Sequence, residues 1–406
     1  MSSNTVRITD TKTLLKNNVR NYSMFLVLVL ILVAFGILCG LQNSRNFWIN
    51  FTPRNFTNIF FQYSYVLILA TGMVMCIIIL GIDLAVGSYI AMIGALSVML
   101  YNTGIGLPLT VIASLGMGAM VGAFQGGIVA YVGIPPFIVT LAGMWLYRGL
   151  TYIITKITPV NPVDKGYSLF STGTVDEMMG LQKIGGVYYP ASFVLVAVLL
   201  ILFIIFDLRG RKKKIENDFE VPSMAIEIAK IVLISFLALF LADRFARYRG
   251  LPVVAIVVGV TVSVFHFIMS NTSLGRYIYA VGGNSKAAKL SGINSEFVTF
   301  MVYVMMGLLA GLAAVVSTGY MNSALPQAGN GFEMDAIASC YIGGVSAAGG
   351  VGSVIGVVVG GLVMSAINNG MSLMNLGTHY QYVVKALILL LAVIYDVTSR
   401  RRSGLG

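Results

Sequence analysis

The chain has 406 residues, of which 57% are apolar and only 10% are charged. Because a soluble globular domain carries roughly 25% charged residues, this composition excludes an ordinary soluble protein and indicates a chain that is solvated mostly by lipid. The net charge is +11, and on a membrane protein such an excess is more typical of cytoplasmic loops than of nucleic-acid binding. The three cysteines form no CxxC pair, which argues against a disulfide framework or a zinc site.

Long apolar runs predict an all-α, polytopic membrane protein with roughly ten to twelve transmembrane helices and a possible internal repeat. A helix needs about 20 residues to cross the hydrocarbon core. The candidate spans are Met24–Leu41, Phe60–Leu80, Gly87–Tyr101, Pro108–Val132, Phe137–Ile154, Ala191–Phe206, Ile226–Leu241, Leu251–Met269, Phe297–Ser317, Ala336–Ala348, Val354–Leu373 and Tyr380–Val397. Ala336–Ala348 is short and rich in small residues, so a broken or re-entrant segment buried in protein is an alternative to a full crossing.

The distribution of Lys and Arg predicts how the chain is oriented in the membrane. Basic clusters in 1–23, at Arg209–Lys214 and at Arg400–Arg402 place both termini and a central loop in the cytoplasm. About twelve crossings satisfy all three clusters, provided that Ala336–Ala348 crosses. One loop disagrees, because Asp243–Gly250 carries three arginines although the count places it outside.

The predicted domain organisation has three parts. A cytoplasmic segment at 1–23 precedes a transmembrane domain at 24–398, and a basic cytoplasmic tail follows at 399–406. No Pro-, Ser- or Gly-rich linker divides the transmembrane part. The longest polar insert, Thr155–Pro190, faces outward by the same count, and it is either a docking surface for an external partner or a variable loop.

Two distant runs carry glycines at four-residue spacing, which puts small residues on one helical face where neighbouring backbones can approach closely. These glycines are Gly118, Gly122 and Gly126 in one run, and Gly352, Gly356 and Gly360 in the other. Many transporters are built from internal repeats, so the two sets indicate a possible repeat. Chance is the competing explanation, since 45 residues are glycine.

A polar island, Asn271–Asn294, interrupts the apolar sequence and reads NTSLGRYIYAVGGNSKAAKLSGIN. It contains three cationic side chains and no acidic one, and the orientation argument places it in the cytoplasm. Its second half is predicted to form a short helix with Ala287 and Leu290 on one face, at i,i+3 spacing. Such a segment between two spans is either offered to a partner or simply a solvated loop.

The sequence lacks the motifs of an enzyme. It has no GxxxxGK[ST] sequence and no Gly-Lys dipeptide, so it cannot hold a nucleotide phosphate as a P-loop does. The two histidines, His266 and His379, are isolated, which argues against a metal cluster or a Ser-His-Asp arrangement. We therefore expect no catalytic residue, no metal and no covalent chemistry in this chain.

Few polar side chains interrupt the apolar runs, and most of these have two interpretations. Asp83 is either a gating or ion-pairing carboxylate or, as its position favours, an N-cap of the span that follows or another structural residue. Arg148 and Lys385 are predicted to snorkel to the membrane interface. Asn368 and Asn369 either hydrogen-bond a passing polyol or join helices to one another. Asp83 and the two asparagines are the candidate residues of a translocation path.

Four stretches of the chain carry a family resemblance. They are Gly81–Ser88 (GIDLAVGS), Gly133–Leu150 (GIPPFIVTLAGMWLYRGL), Asn271–Ile293 and Gly343–Gly370 (GGVSAAGGVGSVIGVVVGGLVMSAINNG). Together they resemble the permease subunits of bacterial monosaccharide ABC importers, the ribose, xylose and galactose group. The length and the charged segment near Arg209–Glu220 are most similar to the xylose and multiple-monosaccharide branch. Ala85 stands where that family often has serine.

The resemblance implies a permease that moves a monosaccharide, such as xylose or galactose, across the bacterial cytoplasmic (inner) membrane. Its implied partners are a second permease subunit in a homodimer, a cytoplasmic ABC ATPase, an external sugar-binding protein and membrane lipid, with no nucleic acid. ATP-Mg would bind to the ATPase, so this chain would hold no cofactor itself.

In similar permeases, a cytoplasmic loop that matches the island docks onto the ATPase. The matching residues here are Leu274, Gly275, Arg276, Gly282, Gly283, Asn284, Ala287, Ala288, Ser291 and Gly292. We expect bulky replacements of Gly282 and Gly283 to uncouple ATP hydrolysis from uptake without loss of membrane insertion.

Three alternatives to a sugar importer stay open at this point. A permease of the same superfamily would carry a nucleoside or a branched-chain amino acid instead. An ion-coupled secondary transporter would need no ATPase, but the sequence lacks the relay of buried carboxylates or histidines that proton coupling uses. A scaffold or channel would not pump at all.

Overall fold

A computed structural model of the chain describes residues 27–41, 51–217 and 221–402. Within these ranges every regular element is a helix, and β pairing is confined to three isolated bridges, which confirms the all-α prediction. The predicted cytoplasmic segment at 1–23 lies outside the described residues. So do residues 24–26 of the first predicted span and the last four residues of the predicted tail at 399–406.

The described ranges form fifteen helices. In chain order they are α1 (Val27–Leu41), α2 (Pro53–Ile78), α3 (Val86–Leu100), α4 (Leu107–Gly127), α5 (Pro136–Thr155), α6 (Leu169–Thr172), α7 (Val175–Met178), α8 (Pro190–Glu216), α9 (Met224–Tyr248), α10 (Val253–Asn271), α11 (Ser273–Leu290), α12 (Ser295–Met321), α13 (Phe332–Ile342), α14 (Val354–Leu373) and α15 (Thr378–Arg402). Short π-helical turns, Tyr101–Ile105 and Ile128–Val132, extend α3 and α4.

Ten of the helices in the described ranges are long and apolar enough to cross a membrane, and the shorter α1 and α13 bring the number of candidates to twelve. The predicted range of ten to twelve is therefore confirmed. α14 has the predicted bounds. α8 is longer than the predicted Ala191–Phe206, because Lys and Arg are good helix formers and the basic cluster Arg209–Lys214 continues the helix to Glu216.

The described residues fall into two compact units, of which the first contains 51–58, 174–217 and 221–252. Its main feature is the pair of helices α8 and α9. Lys230 of α9 lies 2.7 Å from Asp207 of α8 and 2.5 Å from Glu227, and Arg211 of α8 lies 3.4 Å from Glu227. These four charged side chains join the C-terminal end of α8 to the N-terminal end of α9.

The three arginines that disagree with the predicted orientation each pair with a carboxylate inside this first unit. Arg244 and Arg247 lie 3.5 and 2.7 Å from Asp243, and Arg249 lies 2.9 Å from Glu177 of α7. Their structural role is therefore to fix the end of α9 and to join it to α7, whichever side of the membrane they face.

The second unit contains 27–41, 59–173 and 253–402, and it is built around the mostly buried helices α2, α12 and α14. Around them α4, α5, α10 and α15 keep large apolar side chains exposed, as helices that contact lipid do.

Where α4 crosses α12, glycines of α4 lie directly against the backbone of α12. A Cβ atom on Gly118 would overlap the carbonyl of Gly307, and one on Gly122 would overlap the carbonyl of Tyr303. Gly126 lies against the same tyrosine. The prediction that these three glycines form a face for close helix approach is confirmed, and α12 is the helix that occupies it.

The later glycine set is only partly on one helix. Gly356 and Gly360 of α14 lie against the backbone around Gly343, at the end of α13. Gly352 precedes α14 and packs against Ile78 instead, so the three do not form a single face. The internal repeat stays a prediction.

α13 is the helical part of a broken crossing, 322–353. With 11 residues it is about 16 Å long, about half the hydrocarbon thickness, and irregular backbone precedes and follows it. Ala324, just after α12 ends, exchanges two backbone hydrogen bonds with Val160. Gly350 donates its N–H to the carbonyl of Ile78. This lies near the start of α12, because Tyr303 of α12 donates its hydroxyl to the nearby carbonyl of Gly81. The segment thus runs from one end of the unit to the other, as the twelve-crossing count requires.

The α4–α12 contact makes a test of packing. We expect Gly122→Val to destabilise the protein by about 1–3 kcal/mol, because the added carbons must displace the backbone of α12. Gly116→Val is the matched control, since Gly116 lies on the same helix with open space around it. The measurement is unfolding of both purified variants in nanodiscs, and equal stabilities would contradict the close contact.

Candidate functional site

The polar island folds as α11 and the turn that follows it. α11 is two helical pieces that meet at Asn284, whose backbone is extended, with φ −160° and ψ 100°. Thr272 caps the first piece by accepting the N–H of Gly275, and Asn284 caps the second by accepting the N–H of Ala287. The predicted short helix is confirmed for the second half, and the first half is helical as well.

The first piece of α11 is held by backbone contacts at one end of the second unit. Gly282 lies directly against the carbonyl of Ile78, the last residue of α2, and a Cβ atom there would overlap it. Tyr279 donates its hydroxyl to the carbonyl of Gly352 at 2.8 Å. The same carbonyl of Ile78 accepts the N–H of Gly350, so α2, α11 and the broken crossing meet at one point.

The second piece of α11 faces away from the unit. Leu290 is 90% exposed, and Lys289 lies 2.5 Å from Glu296 at the start of α12. The candidate coupling residues fall into an exposed group and a group that is buried or half-buried. Those on the exposed side are Arg276, Gly283, Asn284, Ala287, Ser291 and Gly292, whereas Gly275, Gly282 and Ala288 are buried and Leu274 is half-buried.

Gly282 and Gly283 are not equivalent, although the expected effect of bulky replacements on coupling treats them alike. Gly282 is packed on backbone that cannot move away cheaply, whereas Gly283 has open space around it. Only Gly283 is therefore suited to a test of the exposed surface.

Asp83 lies in the buried turn between α2 and α3. One carboxylate oxygen accepts the N–H of Ala85 at 2.9 Å, and the other accepts the hydroxyl of Tyr89 at 2.8 Å. Asp83 is not the N-cap of α3, because α3 begins at Val86 and Ala85 occupies the cap position. Its two bonds agree with the other favoured interpretation, a structural role. Burial raises the pKa of the Asp83 carboxyl to about 6, while the bonds from Tyr89 and Ala85 oppose the rise.

Arg148 does not snorkel to an interface as predicted. Its guanidinium donates to the carbonyls of Pro326 and Ala328, at 3.0 and 2.7 Å, and to the side-chain oxygen of Asn330 at 2.6 Å. It thereby holds the irregular backbone that leads into α13. The snorkelling prediction fails because it considers only the arginine's own helix, while the partners lie about 180 residues further along the chain.

Lys385 does not snorkel either. Its amino group lies 2.9 Å from one oxygen of Asp335 and 3.0 Å from the other, and Asp335 is only 1% exposed. Asn368 donates to the same carboxylate at 3.4 Å, so one of its two predicted roles, bonding between helices, is present. Asn369 is buried beside it.

Asp335 is the candidate functional residue that the sequence interpretation missed. It stands next to the apolar run assigned as Ala336–Ala348 and looks like part of a polar loop. A signal was available in Lys385, a single cation within an apolar run, because a buried charge requires a counter-charge.

The remaining chemistry of the described ranges is limited. No group of three or more His, Cys, Asp or Glu side chains within 27–41, 51–217 and 221–402 could hold a metal ion. The arrangement offers instead a small exposed surface on α11 and a closed polar cluster on α13.

Comparison with known proteins gives a consistent result. The family model described as the permease component of branched-chain amino acid transport systems matches residues 55–212 and 178–393. The xylose transport system permease protein XylH of Escherichia coli (strain K12) is 39% identical over 355 residues, which are 87% of this chain and 87% of that protein.

Two further relatives cover more of the chain. XylH of Haemophilus influenzae is 34% identical over 381 residues, 94% of this chain and 98% of that protein. The ribose import permease protein RbsC of Escherichia coli (strain K12) is 33% identical over 371 residues, 91% of this chain and 92% of that protein. No solved structure matches the chain.

The contacts of Arg148 predict a local effect. Arg148→Lys keeps the charge but loses the planar fork that reaches two carbonyls and an amide. We expect amide hydrogen exchange in 325–331 to become at least about tenfold faster, since hydrogen bonds to a charged group contribute roughly 1.5–3 kcal/mol each. Arg276→Lys, at an exposed position of α11, is the control. Unchanged exchange in 325–331 would show that the guanidinium does not hold this segment.

Proposed function

The chain belongs to the permease family whose model it matches, and on that basis we propose that it is the membrane-spanning permease of an ABC importer that moves a monosaccharide into the cell. The observation that carries the proposal is the similarity to xylose and ribose permeases over 87–94% of the chain. The family description names branched-chain amino acids, but these relatives are named for pentoses, so a sugar is the better supported cargo.

The energy for transport comes, in this proposal, from a separate cytoplasmic ATPase that binds ATP-Mg. The chain has no P-loop, and the buried carboxylate of Asp335 is paired with Lys385. Both observations favour a driven permease over an ion-coupled transporter. The chain itself then performs no covalent chemistry and is not an enzyme.

The exposed side of α11 is the surface that we assign to the ATPase. Its second piece presents Leu290 and Ala287 beside cationic side chains, and small residues surround the bend at Asn284. A short helix with one large exposed apolar side chain is a suitable knob for a complementary groove. The buried members of the candidate set then position this surface rather than contact the partner.

Further partners follow from the same assignment. We propose a homodimer of permease subunits, an external sugar-binding protein that delivers the cargo, and a bacterial cytoplasmic membrane with both chain termini in the cytoplasm. Asn368 and Asn369, on a buried face of α14, stay candidates for the translocation path. Asp83 is now better explained as a structural residue of its turn.

The decisive experiment is reconstitution into vesicles. Vesicles that hold the chain, its ATPase and external binding protein are expected to accumulate radiolabelled D-xylose only when ATP is supplied. Vesicles that hold the chain alone are the control. Accumulation without ATPase or ATP would overturn the importer assignment. ATP-dependent uptake of leucine instead of xylose would show that the cargo is an amino acid and not a sugar.

The docking surface is tested by Leu290→Ser. We expect the affinity for the ATPase to fall about tenfold or more, because a fully exposed leucine that fills a groove contributes at least roughly 1.4 kcal/mol. We expect folding to be unaffected, since the Leu290 side chain is 90% exposed among the described residues. Val163→Ser, which removes an apolar side chain that is 73% exposed in the Thr155–Pro190 insert, is the matched control. Equal retention of the ATPase by both variants would remove α11 as the docking surface.

A further inference from the structure

The first turn of α13 holds the carboxylate of Asp335, which pairs with Lys385 of α15. The side chain of Asp335 is 1% exposed and that of Lys385 is 18% exposed. Removing two charges from water is costly, and replacement of such a pair by apolar side chains is often neutral or stabilising. Stability alone therefore gives little reason for this pair, whereas intramembrane charges commonly mark the paths of transported solutes.

The polar groups around this pair are only loosely satisfied. The hydroxyl of Tyr65 lies 3.5 Å from Asp335, and the amide nitrogen of Asn368 lies 3.4 Å from it. Good hydrogen bonds are shorter, at about 2.8–3.0 Å. The amide oxygen of Asn368 has no hydrogen-bond partner among the described residues, although the side chain is 2% exposed. Buried polar atoms usually have a hydrogen-bond partner, so this acceptor calls for an explanation.

An aromatic surface borders the same groups. The ring of Tyr65 stacks on that of Phe332, with centroids 3.8 Å apart and planes 20° apart. A monosaccharide presents C–H groups on its ring faces and hydroxyls around its edge. Aromatic rings beside a carboxylate, an amide and an ammonium group supply apolar contact, acceptors and donors for those two kinds of surface.

The irregular backbone near these groups is also typical of transport pathways. Irregular backbone at membrane depth is tolerated only where it is buried in protein or lines a water-filled cavity, and broken helices commonly form the substrate sites of transporters. Asp335 belongs to the broken crossing 322–353, and Tyr65, Asp335 and Asn368 are all buried in this structure.

We propose that Tyr65, Asp335, Asn368 and Lys385 form a hydroxyl-binding subsite that the transported monosaccharide occupies on its way past α13. The sugar's hydroxyls satisfy the amide oxygen and replace the long contacts to Asp335. The inference rests on the proposed function, because it assumes that the chain transports a sugar.

The test uses Tyr65→Phe in vesicles that also hold the ATPase and the binding protein, with D-xylose as the cargo. This variant keeps the ring stack and loses only the hydroxyl. We expect the maximal uptake rate to fall about fivefold, as the loss of one hydrogen bond to the passing sugar predicts, with more ATP hydrolysed per sugar. Asn368→Leu, which removes the orphan acceptor, should act in the same direction.

Tyr167→Phe is the matched control. Tyr167 is fully buried in the same unit, and its hydroxyl makes a 2.6 Å hydrogen bond to Ser97, away from α13. We expect this variant to lose stability but to keep the wild-type ratio of ATP to sugar. The unfolding temperature of each variant is measured in parallel.

Each outcome has a separate meaning. If the wild-type protein does not take up sugar, the proposed function fails. If it does, but Tyr65→Phe and Asn368→Leu either behave as wild type or lose only stability, as Tyr167→Phe does, the cluster is a structural lock and the subsite is refuted. A raised ratio of ATP to sugar in these two variants alone supports the subsite.

Discussion

In hydrocarbon, a backbone N–H or C=O group that finds no partner within the protein costs several kcal/mol, and this constraint decides how the second unit is built. Most of the chain meets it with uninterrupted helices. The segment 322–353 cannot, because it holds Pro326 and several glycines with positive φ. Part of its backbone is instead bonded from outside the segment, by Val160 at one end, by the guanidinium of Arg148, and by Ile78 at the other end.

The charged side chains of the unit follow from the same constraint. Arg148 supplies donors to carbonyls that no helix can reach, and Lys385 compensates the carboxylate at the start of α13. Both cations are long side chains that extend from an apolar stretch of their helix toward the broken crossing. Two cations from distant helices therefore meet the same irregular segment.

Much of this fold could be predicted from the sequence, because apolar runs of fixed length and glycines at four-residue spacing report directly on helices in lipid. The exposed island could be predicted too, since its polarity contrasts with its flanks. The partners of Arg148 and Lys385 could not, because they depend on contacts between distant parts of the chain. The difference between Gly282 and Gly283 was equally hidden, since spacing does not tell which glycine meets the backbone of another helix.

The junction at Ile78 has a mechanical consequence. Gly282 of α11 and Gly350 of the broken crossing touch the same carbonyl, and neither contact contains a side chain. Side chains can absorb a displacement by changing rotamer, but backbone in direct contact cannot. A displacement of α11 is therefore transmitted to the broken crossing through three peptide groups in direct contact, with little absorbed by side-chain rearrangement.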